Sequence, residues 1–96
     1  MLKDLILDWA KDRGILDVGT VWGQMDKLYE EVDELSVAIK NSDRAEIRDA
    51  IGDIQVVLII LSELLEEDSV KCLEGAYDVI KQRKGKMVDG VFVKEE

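Results

Sequence analysis

The chain contains no histidine, no proline and a single cysteine. Without histidine, and with only Cys72 to offer a thiolate, a zinc site is excluded as a working reading. A lone cysteine also forms no intramolecular disulfide, which agrees with a reducing, cytoplasmic setting. The absence of proline permits long uninterrupted helices. The longest apolar run, Ile54 to Leu61 broken only by Gln55, is too short to span a bilayer. No cationic start with an apolar stretch and a small-residue cleavage site marks the N-terminus as a signal peptide. Membrane association is therefore not expected.

What is abundant is acid. Among 96 residues, 22 are Asp or Glu against 13 Lys or Arg, a net charge of −9. Such a chain lacks the basic footprint that nucleic-acid binding needs. A nucleotide held through a metal ion stays compatible with it. The length suits one domain over residues 1–96, small enough to be marginally stable alone, which favours an oligomer.

Periodicity predicts an all-α chain of four helices with a short tail. Leu2, Leu5, Ile6 and Trp9 place the first helix over 2 to about 13, ended by Gly14. Residues 14–19 read as a loop, and Thr20 as the N-cap of the second helix, about Val21 to Lys40. There Val21, Met25, Leu28, Val32, Leu35 and Ile39 form one apolar seam. Asn41-Ser42 is the turn, with Ser42 as cap and Glu46 placed to help. The third helix spans about Asp43 to Glu67, too long a pattern for a strand. It is apolar over most of its circumference. Ile47, Ile51, Ile54, Leu58, Leu61 and Leu65 line one face, and Val56, Val57, Ile60 and Leu64 a second. Four short helices do not surround it, so a homodimer or homotetramer is expected to complete the bundle. Asp68-Ser69 opens the fourth helix through Val70, Leu73, Tyr77 and Ile80, with Gly85 as its end. Asp89-Gly90 between two apolar triplets predicts a hairpin within residues 85–96.

The acids are patterned. Glu30, Glu31, Asp33 and Glu34 lie on the second helix, Asp49 and Asp53 on the third. Counted from the turn near residues 41 and 42, Glu34 shares a level with Asp49, and Glu31 with Asp53. An antiparallel hairpin thus brings two carboxylate pairs to one groove. Asp53 shares its stripe with Val56, Val57, Ile60 and Leu64 and is expected to be partly buried. Grouped carboxylates without His or Cys suit a hard divalent ion, Mg²⁺ or Mn²⁺. The plainer alternative, solvated helix faces, is favoured for Asp26, Glu30 and Asp33.

The segments EEVDE and DAIGDIQVVL, in that helical order and with the closing KQRKGKMVDGVFVKEE, resemble the MazG-like all-α nucleoside triphosphate pyrophosphohydrolases, relatives of the dimeric dUTPases and phosphoribosyl-ATP pyrophosphatase. The likeness runs from about Trp22 to Lys84. It implies a four-helix MazG-like bundle and Mg²⁺-dependent hydrolysis of a nucleoside triphosphate to monophosphate and pyrophosphate. By the family's E-E-x-x-E and E-x-x-D pattern, Glu31, Glu34 and Asp53 match metal ligands, and Glu30 or Glu34 would activate water. The chain departs from the pattern at Ala50, where relatives carry glutamate; Asp49 stands one residue earlier as a substitute ligand. Gln24 and Lys27 resemble substrate-contacting positions, and for Lys27 a surface pair with Glu31 is an equal reading. Lys81 matches a lysine of the later motif, although Asp78 stands where relatives have asparagine. Lys81, Arg83, Lys84 and Lys86 form the one dense basic cluster, with Lys81 and Lys84 as triphosphate contacts; cations at a helix C-terminus also complement its dipole. Trp22 and Tyr77 are candidates for stacking on a base, with core packing as the commoner role. Gly52 is read as allowing close helix approach. The alternative function is a non-catalytic dimerisation or regulatory module with a degenerate metal site.

Overall fold

A computed structural model describes residues 1–95. Five helices and a hairpin follow in order: α1 (Leu2–Asp12), α2 (Ile15–Val18), α3 (Val21–Lys40), α4 (Arg44–Leu64), α5 (Ser69–Ile80), β1 (Gly85–Val88) and β2 (Val91–Lys94). The expected loop between Gly14 and Gly19 is in fact the single-turn helix α2. Gly14 enters it at φ +79° and Gly19 leaves it in extended conformation. Two punctuating glycines bracket one helical turn there.

The caps follow side-chain chemistry. Thr20 accepts a hydrogen bond from the Gly23 amide at 3.0 Å and starts α3. The turn after α3 differs from expectation by one residue. Ser42 takes φ +52°, the Asp43 amide reaches back to the Ala38 carbonyl at 3.0 Å, and this Schellman-type closure consumes Ser42. Asp43 is the cap of α4 instead, accepting from the Glu46 amide at 3.2 Å. Helix α4 stops at Leu64, short of Glu67, because Glu66 turns left-handed at φ +60°. Asp68 caps α5 through the amides of Val70 and Lys71 and pairs with Lys3 of α1 at 3.1 Å. Gly85 does not end α5, which stops at Ile80. It opens β1, where a Cβ would collide with the Val93 carbonyl and the Phe92 ring. The hairpin forms with Val88 opposite Val91; Asp89 and Gly90, both at positive φ, make its two-residue turn.

Helices α3 and α4 fold back on each other and carry most of the tertiary packing, with α1 and α2 against α4. Their close approach rests on small residues: Ala38 of α3, Ala50 of α4 and Ala10 of α1 are buried. Val57, Ile60 and Leu61 complete the core. The second apolar face of α4 is thus the one that turns inward, while Ile51, Leu58 and Leu65 stay substantially exposed. On α3, the seam residues Val32 and Ile39 also remain exposed. Among the described elements, α5 packs only on α4 and the hairpin strands only on each other. Leu73, Tyr77 and Ile80 of α5 face solvent. No helix among the described residues is long and apolar enough to cross a membrane.

Candidate metal centre and nucleotide groove

Between the α1–α2 corner and the α3–α4 pair runs a groove of ≈ 660 Å³. Gln24, Lys27 and Glu31 line it from α3, and Asp53, Val56 and Ile60 from α4. Helical spacing produces this alignment. Residues 24, 27 and 31 recur at three and four and share one face of α3, and the hairpin places that face beside Asp53.

Glu31 is the centre of the arrangement. It is 4% exposed, the one buried charged side chain among the described residues. Its Oε1 stands 3.3 Å from the Lys27 ammonium, which also reaches Glu30 at 3.6 Å. Its Oε2 is buried without a hydrogen-bond partner; the Glu34 carboxyl is placed to donate to this carboxylate when protonated, and when ionised it leaves the oxygen unpaired. Asp53, expected to be partly buried, is exposed on the groove wall. The apolar stripe it shares packs inward further along α4, at Val57 and Ile60, and leaves the aspartate at the open rim.

Glu34, one turn from Glu31, is exposed. Its carboxyl is held above the ordinary carboxylate range, first by hydrogen bonding to Glu31, then by the charge of Glu31, with Asp53 adding to the effect and Lys27 opposing it. The Lys27 ammonium is held above its ordinary value by its hydrogen bond to Glu31 and by that residue's charge. Glu31, Glu34 and Asp53 are therefore electrostatically one group, with Lys27 its nearest cation.

Glu30 is exposed and touches the group through Lys27. Asp49 is exposed and lies outside the groove lining, while Ala50 beside it is 3% exposed, inside the α3–α4 contact. Among the described residues no three acidic side chains are already gathered as a metal cage. The chemistry of the donors still fits a hard cation: all are carboxylate oxygens, and the orphaned Oε2 of Glu31 lacks a positive partner. Lys81 and Lys84 are not brought to the groove. Lys81 bonds Asp78 at 3.0 Å and stands 5.7 Å from the Tyr77 ring centroid, at the C-cap of α5, which among the described elements packs only on α4.

Sequence reasoning missed the opposite wall. Trp9, Ile15 and Val18 line the groove. Trp9 reads from spacing as a core residue of α1, and Ile15 and Val18 fall in the stretch read as loop. The helical turn of α2 leaves Ile15 half-buried against the groove and Val18 exposed at its rim, a placement that no local pattern in the sequence announces.

Residues 20–88 match the family model of the MazG nucleotide pyrophosphohydrolase domain. The chain is also similar to an uncharacterized 18.2 kDa protein of the rep–hol intergenic region of Haemophilus phage HP1, 38% identical over 65 residues. That stretch covers 68% of this chain and 40% of the phage protein, so this chain spans well under two thirds of its relative. No solved structure matches. Most of the chain, including both acidic helices, falls within the matched region, and the chain belongs to the MazG nucleotide pyrophosphohydrolase domain family.

Proposed function

We propose that this chain hydrolyses a nucleoside triphosphate to the monophosphate and pyrophosphate in a Mg²⁺-dependent reaction, with Mn²⁺ as a substitute ion. The observation that carries this reading is the buried, unpartnered Oε2 of Glu31 in a groove shared with Asp53 and Lys27. Glu31, Glu34 and Asp53 would hold the ion, with Asp49 as a further ligand from the next turn of α4. A bound divalent ion neutralises charge developing on the phosphate oxygens. Lys27 would contact the phosphate chain, turning from Glu31 as the acidic group fills. Gln24, half-buried one turn away, would orient the substrate. Glu30 or Glu34 would accept the proton of the attacking water.

Lys81 and Lys84 would meet the triphosphate only in an assembly, since their helix stands apart from the groove within one protomer. The exposed apolar face of α5 supports a homodimer or homotetramer.

The direct test is pyrophosphate release from a panel of ribo- and deoxynucleoside triphosphates with Mg²⁺, with Mn²⁺ and with chelator. Metal-dependent release with monophosphate as co-product supports the reading. No release from folded, oligomeric protein overturns it. One observation favours a second reading, a non-catalytic module with a degenerate site: Ala50 occupies the position of the family's glutamate and is buried. In that case Mg²⁺ would leave the melting temperature unchanged.

A further inference from the structure

The groove has two chemically different walls. Glu31 and Lys27 of α3 and Asp53 of α4 line one, while Trp9, Ile15 and Val18 supply an apolar surface from the α1–α2 side. A second hollow of ≈ 370 Å³, lined by Leu5, Ile6, Trp9, Asp53 and Val56, adjoins the first. The two share Trp9, Asp53 and Val56, so the indole forms a ridge next to the acidic group. Trp9 is 47% exposed, unusual for the largest apolar side chain of α1. The Arg13 guanidinium stands 5.7 Å from its ring centroid and steadies it by a cation–π contact. This wall lies outside the family match, which begins at residue 20.

We infer that Trp9, with Ile15 and Val18, forms a stacking platform that holds the nucleobase of the substrate by its face, while the acidic wall of the groove takes the phosphates through the bound ion. The inference rests on the proposed hydrolysis for its substrate class. A nucleotide carries a partner for each wall, a flat aromatic body joined to an anionic chain. A groove of ≈ 660 Å³ lies within the range of small-ligand sites. Indole–base stacking tolerates every base, because each presents a π-face. Ile15, Val18 and Val56 carry no side-chain group to read a base edge, so the platform anchors bases without selecting among them.

Two measurements separate this inference from the reading on which it rests. In Trp22→Phe, Trp9 is the single indole, and its fluorescence is titrated with AMP and with ribose 5-phosphate in Mg²⁺. Saturable quenching by AMP, with none by the base-free sugar phosphate, is expected. In turnover assays Trp9→Ala should raise KM for ATP and CTP about tenfold, the scale of one lost stacking contact. It should leave kcat near wild type and leave methyl triphosphate turnover unchanged. Trp9→Phe should fall between, which guards against a folding defect in the alanine variant. If AMP leaves the fluorescence unchanged, or if an active wild type and Trp9→Ala share one KM, the platform is overturned. Quenching of Trp22→Phe by AMP, beside a wild type that hydrolyses no triphosphate, keeps the platform and removes the proposed hydrolysis instead.

Discussion

The Lys27 ammonium sits 3.3 Å from Oε1 of Glu31, while Oε2 of the same carboxylate is buried and unpartnered. One lysine thus satisfies half of a carboxylate that folding has removed from water. A buried acceptor left unsatisfied costs about 1–3 kcal/mol. A divalent cation on the free oxygen would offset that cost. Mg²⁺ should therefore raise the melting temperature of the wild type, with a stabilisation of about 2.7 kcal/mol at a hundredfold excess over Kd. Glu31→Gln should lose the Mg²⁺-induced rise without unfolding the metal-free protein. Calorimetry with and without Mg²⁺ checks this, and a full Mg²⁺ shift in Glu31→Gln would remove Glu31 from the site.

Glu34 gives the acidic group a pH signature. Its carboxyl, raised from an ordinary 4.5 mainly by Glu31, binds its proton more tightly in the folded chain than in the unfolded one. The sign follows from linkage: stability contributed by that proton is present below the unfolded value and is lost as pH rises through the folded one. Asp68 acts in the opposite sense. Its carboxyl is lowered from 3.8, first by the hydrogen bond to Lys3, so its contribution is lost as pH falls through the folded value. As pH climbs above the ordinary 4.5 of this carboxyl, metal-free wild type should lose stability relative to Glu34→Gln, while both keep the loss at lower pH. Thermal melts of the two proteins in chelator across the acidic range read both limbs. A difference between them that stays constant through this window would show that Glu34 is not coupled to Glu31.

Glu31 and Asp53 mark how far the sequence alone reaches. Spacing on α3 and the count of residues from the turn place Glu31 level with Asp53, and the structure has them in one groove. Which of the two is buried was not legible. That depends on how α1 and α2 cover the hairpin, and tertiary packing of this kind leaves no periodic trace. The same limit hid Trp9 in the groove wall. Local chemistry was legible where it is self-contained, as at the Thr20 cap and the Asp89-Gly90 turn. It was misread at Ser42, where two neighbouring residues each carry a capping oxygen and the closure of α3 decides between them.

Ala50 tests the departure from the family pattern. It is 3% exposed within the α3–α4 contact, one residue beyond Asp49, which shares the level of Glu34. Placing a second carboxylate there buries another charge, so Ala50→Glu should destabilise the metal-free protein by at least about 1 kcal/mol. Mg²⁺ should recover much of that loss and bind more tightly than in wild type, because the added oxygens complete an incomplete ligand set. Denaturant melts with and without Mg²⁺ give both quantities. Equal loss in the two conditions would mean that the residue 50 side chain points away from the ion.

Helix α5 presents Val70, Leu73, Tyr77 and Ile80 at spacings of three and four, one continuous stripe, and among the described elements it packs only on α4. Leu73 is 72% exposed. A twelve-residue helix gains little stability on its own, since isolated helices of this length are marginal in water. Its apolar stripe therefore needs a cover, and a second copy supplies the same stripe by symmetry. The wild type should sediment as a dimer or larger, and Leu73→Glu should shift it towards monomer and lower its helical circular dichroism as α5 frays. Activity should fall with the assembly, since Lys81 and Lys84 sit at the end of this helix and beyond it. Sedimentation velocity over a concentration series is the decisive measurement. A wild type that stays monomeric with full helicity would show that α5 is stable uncovered, and the basic cluster would then have no route to the groove.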